Sequence, residues 1–178
     1  DGGSAVKRAT RGAPGFATVI VRPGLFPYGP GDHQASARML AALARRLPLL
    51  VGDGSALLST AYVENLIDGV LRCLERPAAA GETFHLADDT RCTWRELVAA
   101  MAGALGLPPP RGRIPRALAA PAAVALEAAW RALRLPGSPP LTRYRVRTVT
   151  SDLHFSNQKA KRLLGWTPAV PLADGLAA

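Results

Sequence analysis

The stretch that decides the fold is "TVIVRPGLFPYGPGD", which runs from Thr18 to Asp32. Its first residues form a short apolar run, typical of a strand covered on both faces in a parallel sheet. The part "RPGLFPYGPGD" then holds three prolines and three glycines. Proline fixes the backbone path, and glycine lets the backbone approach a ligand closely. Because ligands bind at the carboxyl ends of parallel strands, this loop is either a ligand loop or a plain connection to a helix.

Strand and helix patterns alternate along the rest of the chain. The predicted strands are Phe16–Arg22, Leu57–Val63, Glu82–Ala87 and Ser151–Phe155. The predicted helices are Gln34–Leu47, Glu64–Leu74, the helix from Thr93 to Leu105, Arg116–Leu135, Leu141–Thr148 and the helix of "QKAKRLL". Thr93 and Glu96 have the spacing of a capping box, and Asn157 is the predicted cap of the "QKAKRLL" helix. This order predicts an α/β fold whose later part is mostly helix.

Length and composition allow one ordinary globular domain, with 178 residues of which 48% are hydrophobic. Cys73 and Cys92 are too few for a zinc site or a disulfide framework, which favours a reducing compartment. The chain does not open with a basic segment followed by an apolar run, so no signal peptide is indicated. A cytoplasmic location is therefore the expectation.

The net charge of +9 is unevenly distributed, because the segment from Arg111 to Arg147 contains eight arginines and one acid, Glu127. Such a segment is either an arginine-rich solvated face or a nucleic-acid footprint. Its aromatic residues, Trp130 and Tyr144, are not interleaved with the charges as a base-stacking platform requires. We therefore predict no nucleic-acid partner.

The predicted helix Arg116–Leu135 carries no charge from Ala117 to Leu126. This apolar run is too short to span a bilayer, which needs about 20 residues. Three interpretations remain: a core or substrate-lobe helix, a helix that lies with its arginine-flanked ends on an anionic membrane surface, or a helix that binds a partner.

Five segments occur in an order that resembles a known family. They are "RPGLFPYGPGD", "VGDGSALLSTAYVENLIDGVLRCLE", "GETFHLADDTRCTWRELV", "PPLTRYRV" and "KAKRLLGWTPAVPLADGL". Together they resemble the C-terminal half of the extended short-chain dehydrogenase/reductases, and most closely the 3β-hydroxysteroid dehydrogenase/isomerase-like branch. The pieces "YVEN" at Tyr62–Asn65 and "PPLTR" at Pro139–Arg143 are the most specific to this branch.

The resemblance implies a C-terminal part of a Rossmann-like parallel sheet together with a mainly helical substrate-binding lobe. Residues 16–178 would form these parts, and residues 1–15 would be the remnant of a preceding helix or linker. The N-terminal dinucleotide-binding half would be absent.

The resemblance also implies roles for single residues. Backbone at Pro23, Gly24 and Leu25 would pack against the carboxamide end of NAD or NADP. The side chains implied to face the substrate are Tyr28, Asp32, Ser59, Thr60 and Arg143. For Arg143 a second interpretation stays open, in which it clamps the lobe to the sheet.

The chain departs from the family pattern at the motifs that bind the cofactor and carry out the reaction. No Gly-rich phosphate-binding turn occurs, and no tyrosine is followed four residues on by lysine. We therefore assign no catalytic residue and no metal ligand, and we expect no hydride transfer by this polypeptide alone.

Three functions remain open. The first is the substrate-lobe portion of an NAD(P)-dependent oxidoreductase that acts on a hydroxyl or keto group of a sterol-like or other lipophilic substrate. The second is part of a nucleotide-sugar epimerase or dehydratase, and the third is a non-catalytic binding module. The apolar helix and "PPLTR" favour the first. The resemblance adds peripheral membrane contact, and a homodimer of the full-length form, as expectations.

Several other polar residues have structural interpretations. We expect Asn65 to tie backbone at a strand–helix junction and His85 to be packed and hydrogen-bonded within its strand. His33 is expected in solvent. Asp88 and Asp89 are adjacent and should point in different directions, which disfavours a paired acid–base role.

Overall fold

The computed structural model describes residues 17–33, 35–47, 50–109 and 112–178. The predicted remnant at residues 1–15 lies outside these ranges. The described chain divides into two compact units. Unit 1 comprises the described residues up to Gly31 together with 59–90 and 154–178, and unit 2 comprises 32–58 and 91–153.

Within the described ranges, the strands are short and the helices carry most of the ordered backbone. The strands are β1 (Ile20–Pro23), β2 (Phe26–Tyr28), β3 (Leu50–Val51), β4 (Leu57–Leu58), β5 (Thr60–Tyr62), β6 (Thr83–Leu86), β7 (Cys92–Thr93) and β8 (Arg113–Ile114). The helices are α1 (Ala35–Ala44), α2 (Val63–Glu75), α3 (Trp94–Ala104), α4 (Arg116–Ala132), α5 (Arg143–Thr150), α6 (Gln158–Leu164) and α7 (Leu172–Ala177). A 3₁₀ turn occupies Pro77–Ala79.

Unit 1 is built on two parallel strand pairs. Strand β1 pairs with β6, with Ile20 opposite Thr83 and Pro23 opposite Leu86. Strand β2 pairs with β5 in the same parallel sense. Parallel strands need a crossover, and α2 lies in the connection from β5 to β6. The carboxyl ends of β1 and β6 therefore open on the same edge.

The core of unit 1 forms where α2 and α6 pack on β6. Its buried members are Cys73, Ala79, Phe84, Leu86, Ala160, Leu164 and Trp166. Helix α2 presents buried residues at a spacing of four, namely Asn65, Gly69 and Cys73. At Gly69 a Cβ atom would lie 2.6 Å from Cδ1 of Leu86, so only glycine allows this helix so close to β6.

Unit 2 contains the larger share of helix. Strand β3 pairs in parallel with β8, and β4 pairs antiparallel with β7. One apolar cluster joins β3, α4 and α5 through Val51, Ala119, Ala123 and Val146. Helix α3 adds a second buried stripe, formed by Leu97, Val98, Met101 and Ala102.

The α/β fold class is confirmed, with parallel strand pairs and a mainly helical remainder. The capping box at the start of α3 is also confirmed. The Thr93 hydroxyl accepts from the Glu96 N–H at 3.2 Å, and the Glu96 carboxylate accepts from the Thr93 N–H at 2.8 Å. Helix α4 was predicted to reach Leu135 and ends at Ala132.

Three local predictions were wrong. The strand predicted at Leu57–Val63 is two strands divided at Ser59. The strand predicted at Ser151–Phe155 is a single bridge between Leu153 and Leu58. Asn157 precedes α6, but its side chain makes no capping bond. It donates instead to the carbonyl of Ala87 at 2.8 Å, because that buried oxygen needs a partner.

Candidate functional site

The loop implied to hold the cofactor lies at the carboxyl edge of β1 and β6. The N–H of Gly24 donates to the carbonyl of Leu86 at 2.9 Å, which continues the pairing one residue past the end of β1. Pro23 is exposed, Gly24 is buried and Leu25 is half-buried. Pro23 and Leu25 thus present a partly open surface at the edge where open parallel sheets bind ligands.

Gly24 is held against the backbone that precedes and begins β5. A Cβ atom on Gly24 would lie 2.5 Å from the carbonyl oxygen of Thr60 and 2.9 Å from that of Ser59. Backbone atoms cannot move aside as a side-chain end can. The glycine is therefore required by packing inside unit 1, whatever the loop binds.

Ser59 and Thr60 lie beside this loop, and both are almost fully buried. The Ser59 hydroxyl accepts from the N–H of Phe155 at 2.8 Å and lies 3.3 Å from Nδ1 of His154. The Thr60 hydroxyl donates to the Asp88 carboxylate at 2.8 Å. Both hydroxyls are engaged within the protein, and their contact with substrate stays a prediction.

The Asp88 carboxylate, which follows the end of β6 and is 4% exposed, is a buried hydrogen-bonding centre of unit 1. Besides the Thr60 hydroxyl, it accepts from the N–H of Tyr62 at 3.1 Å and from the amide of Asn65 at 2.9 Å. The Asp88 N–H in turn donates to the Thr60 carbonyl at 2.8 Å. These contacts fasten the end of β6 to β5 and to the start of α2.

The structure confirms the prediction that Asn65 binds backbone groups at a strand–helix junction. Its amide also donates to the carbonyl of Val170, and its side-chain oxygen accepts from the N–H groups of Ala169 and Val170, each at 3.0 Å. The backbone carbonyl of Asn65 accepts from Nε1 of Trp166 at 3.1 Å. One buried amide therefore ties the strand–helix junction to the C-terminal segment.

Tyr28 lies within the packed interior of unit 1 at 3% exposure. Its ring lies 5.4 Å from that of Tyr62 at an interplanar angle of 48°. Its hydroxyl lies 3.0 Å from the position a Cβ atom would take on Gly175 in α7. The role of Tyr28 toward substrate stays a prediction.

Two of the predicted residues, Asp32 and Arg143, belong to unit 2. The Asp32 carboxylate accepts from the N–H of Ser36 at 2.8 Å in the first turn of α1. Arg143 donates to Glu127 of α4 from its backbone N–H and from Nε, at 2.8 Å each. Its observed partner is therefore helix α4. These hydrogen bonds hold the pKa of Glu127 below its usual value of 4.5.

The remaining polar predictions concern His33, His85 and the pair Asp88 and Asp89. His33 is exposed as expected. His85 stacks on Phe155 with ring centroids 4.9 Å apart, and burial lowers its pKa, with a smaller effect from Arg22. The ring is packed as predicted, but its Nδ1 has no hydrogen-bond partner in the described part of the chain, so the predicted hydrogen bond is not made at this nitrogen.

Asp88 and Asp89 do point apart. Asp88 faces β5, whereas Asp89 accepts from the Asn157 amide at 2.7 Å and from Nζ of Lys161 at 2.7 Å. The two carboxylates thus form hydrogen bonds with different elements of unit 1. Among the residues with described positions, no three His, Cys, Asp or Glu side chains lie together as metal ligands would.

Sequence reasoning missed the importance of Asp88. A carboxylate directly after a buried strand was the available signal, since that position opens on the ligand edge of a parallel sheet. Its three donors lie 23 to 28 residues earlier in the chain, so no local pattern joins them to it.

The amino-acid sequence matches known proteins over almost the whole chain, although no family model matches the chain. The chain is 35% identical to a 2-alkyl-3-oxoalkanoate reductase of Stenotrophomonas maltophilia over 170 residues, which are 90% of this chain and 50% of that protein. It is 31% identical to 3β-hydroxysteroid-dehydrogenase/decarboxylase isoform 1 of Arabidopsis thaliana, covering 98% of this chain and 42% of that protein. The chain thus spans half or less of these curated relatives.

Solved structures agree on the fold. The crystal structure of gox2253 superposes with a TM-score of 0.71 at 24% identity, over 98% of this chain and 51% of that one. A UDP-glucuronic acid 4-epimerase from Bacillus cereus, solved with UDP-glucuronic acid and NAD, gives a TM-score of 0.64 at 19% identity, over 98% of this chain and 48% of that one.

The chain therefore resembles the extended short-chain dehydrogenase/reductases of the NAD-dependent epimerase/dehydratase superfamily. Within that superfamily its curated relatives are 3β-hydroxysteroid dehydrogenase-like enzymes and 2-alkyl-3-oxoalkanoate reductases, as the sequence motifs predicted.

Proposed function

We propose that this chain is the substrate-side portion of an NAD(P)-dependent oxidoreductase that acts on a hydroxyl or keto group of a sterol-like or other lipophilic substrate. The observation that carries the proposal is 35% identity to a 2-alkyl-3-oxoalkanoate reductase over 90% of the chain. The decarboxylating sterol enzyme of Saccharomyces cerevisiae, 31% identical over 90% of the chain, supports the same substrate class.

In this proposal Pro23, Gly24 and Leu25 border the nicotinamide end of NAD or NADP. Gly24 is fixed by the Leu86 carbonyl and the β5 backbone, so the loop is held rigidly before any ligand arrives. Rigid placement reduces the entropy lost on binding. When bound, the cofactor supplies the hydride chemistry, and this chain positions its reactive end.

Residues 16–178 then act together with a dinucleotide-binding half that supplies the phosphate cradle and the Tyr-x-x-x-Lys pair. A homodimer of the complete protein, inferred from the family resemblance, and a cytoplasmic location, inferred from the two free cysteines, belong to the same proposal. None of the helices in the described ranges is long and apolar enough to cross a bilayer.

The first test is the coding sequence upstream of Asp1, which we expect to continue in frame through Tyr-x-x-x-Lys and a Gly-rich turn. The complete gene product should then oxidise NADH or NADPH with a long-chain 2-alkyl-3-oxoalkanoate, or reduce the cofactor with a 3β-hydroxysterol. The 178-residue chain alone should show neither activity. Turnover of a UDP-sugar without turnover of either lipid would overturn the proposed substrate class.

A second test addresses the loop. Leu25→Ala in the complete gene product should raise KM for NAD(P)H by about fivefold, since roughly 1 kcal/mol of apolar contact is lost. Leu71→Ala is the matched control, because Leu71 is 51% exposed on α2 and should leave KM unchanged. An equal rise in both variants would argue against Leu25 as a cofactor contact.

A further inference from the structure

A cleft of about 470 Å³ lies in unit 2, bounded by the turn after β3, the first half of α3 and the segment that leads into β8. Sites that bind small molecules measure roughly 300–1,000 Å³ and combine apolar walls with a few polar groups. None of the side chains implied above to face the substrate lines this cleft. The proposed function therefore does not account for it.

Two arginines give the cleft a cationic wall. Nε of Arg95 donates to the backbone carbonyl of Asp53 at 2.7 Å, and Nη2 donates to the same oxygen. This contact holds the Arg95 guanidinium in place at the wall. The Arg113 side chain is exposed and makes no hydrogen bond or ion pair with any described residue. Because a guanidinium presents parallel N–H donors that match a carboxylate, both side chains are suited to bind an anion in the cleft.

Asp53 is the acid in the lining, and its carboxylate accepts hydrogen bonds from Ser55. The Ser55 hydroxyl donates at 2.7 Å and the Ser55 N–H at 3.1 Å, and these bonds hold the pKa of Asp53 below its usual value of 3.8. Asp53 therefore stays negative at neutral pH. A third arginine offsets it, because Cβ of Arg116 lies 3.7 Å from the position a Cβ atom would take on Gly52. Three arginines against one acid leave the surroundings of the cleft positive.

The rest of the lining provides apolar surface. Leu50, which is 8% exposed, lines the cleft together with Ala99 and Pro109. A second cavity, of about 330 Å³, shares Pro109 and Gly112 with the cleft and is apolar apart from Arg46. Three leucines line this second cavity, namely Leu43, Leu47 and Leu107. The shared residues thus place apolar surface next to the cationic wall.

We propose that the cleft binds an anionic amphiphile, with a carboxylate head on Arg95 and Arg113 and a hydrocarbon chain along Leu50 toward the leucine-lined cavity. The head would gain charge-assisted hydrogen bonds, and the chain would gain from leaving water. An inorganic oxyanion would use only the arginines, and a neutral hydrocarbon would use only the apolar walls. This binding involves no hydride transfer and is independent of the proposed oxidoreductase function.

The test is calorimetric titration of the 178-residue chain with four probes, namely decanoate, hexanoate, 1-decanol and inorganic phosphate. We expect decanoate to bind at least about tenfold more tightly than each of the others. Hexanoate has a shorter chain, 1-decanol lacks the charge and phosphate lacks the chain. Decanoate carries no hydroxyl or keto group and no cofactor is added, so a negative result would leave the proposed function untouched.

Three variants locate the binding in the cleft. Arg113→Gln should weaken decanoate binding about tenfold, because a charge-assisted hydrogen bond is lost. Arg147→Gln is the matched control, since Arg147 is also an exposed arginine of unit 2 but does not line the cleft, and it should leave the affinity unchanged. Asp53→Asn should tighten binding by about threefold, because it removes a negative charge beside the carboxylate head.

Equal affinity for decanoate and 1-decanol, or an equal loss in Arg113→Gln and Arg147→Gln, would overturn the proposal. Phosphate binding as tight as that of decanoate would identify a site for oxyanions alone and would also overturn it, as would no binding of any probe. Thermal unfolding checks that each variant is folded. The comparison of the four probes uses the unaltered chain and does not depend on any variant.

Discussion

At the scale of the residue, the Asp88 carboxylate joins the end of β6 to β5 and α2 through three hydrogen-bond donors. Replacing it with Asn turns one acceptor into a donor that must face the Thr60 hydroxyl, the Tyr62 N–H or the Asn65 amide. We expect Asp88→Asn to lower the free energy of unfolding by about 2–4 kcal/mol, because hydrogen bonds to a buried charge are lost.

The neighbouring residue supplies the control for that experiment. Asp89→Asn removes a partly exposed ion pair with Lys161 and should cost within about 1 kcal/mol. Urea unfolding followed by circular dichroism measures both variants. Equal costs for the two variants would mean that the Asp88 contacts contribute no more than a surface pair.

Gly24 gives a second prediction at this scale, in which one kind of substitution has opposite effects at two positions. Gly24→Ala places a Cβ atom against the Thr60 carbonyl and should destabilise the chain by about 1–3 kcal/mol. Gly103→Ala in α3 meets open space and should stabilise it by up to about 1 kcal/mol, because glycine weakens a helix interior. Thermal unfolding of the two variants measures both changes in stability. A Gly24→Ala variant as stable as the unaltered chain would show that the loop can shift away from β5.

At the scale of the element, the joint between α4 and α5 is held by Glu127 and should depend on pH. The backbone N–H of Arg143 is the largest cause of the lowered Glu127 pKa, followed by the Arg143 side chain. A carboxyl whose pKa is lower in the folded state stabilises the fold above its unfolded pKa, and that contribution is lost as pH falls through the folded value.

The expected result is that Glu127→Gln destabilises the chain at neutral pH and that the difference shrinks as pH falls below the ordinary value of 4.5. Urea unfolding of both proteins between neutral and acidic pH gives the measurement. A difference that stays constant with pH would show that the joint does not depend on the charge of Glu127.

The elements also show what the sequence could predict. The capping box of α3 was predictable because Thr93 and Glu96 lie within one turn, and the helical spacing of apolar residues predicted α1 and α2. Strand β2 was missed because Pro27 is unfavourable in a strand, and only pairing with distant β5 makes it one. The cap expected from Asn157 failed for the same reason, since the Ala87 carbonyl 70 residues away holds its side chain.

At the scale of the whole molecule, the two units are interleaved along the chain. The chain passes from unit 1 to unit 2 at residues 31 and 32, returns at residue 59, leaves again after residue 90 and returns at residue 154. Neither unit is therefore a continuous segment that could be removed by one cut. Because each unit is assembled from separated segments, we expect them to unfold together.

Two thiols make this expectation measurable, because Cys73 lies in unit 1 and Cys92 in unit 2, and both are buried. Burial raises the pKa of both thiols, and for Cys92 it does so, with a smaller effect from Glu96, to about 11. At pH 8 roughly a thousandth of the Cys92 thiol would be thiolate, the reactive form. In the native chain we therefore expect almost no reaction of either cysteine with a disulfide reagent.

The variants Cys73→Ser and Cys92→Ser each leave a single thiol, which reports on one unit. As urea is raised, the remaining thiol should become reactive over the same concentration range in both variants, and that range should match the loss of circular dichroism. Separated midpoints would show that the units unfold independently. Because the contacts of Gly24, Thr60 and Asp88 all lie within unit 1, that unit would then be the smaller body to assay for cofactor binding.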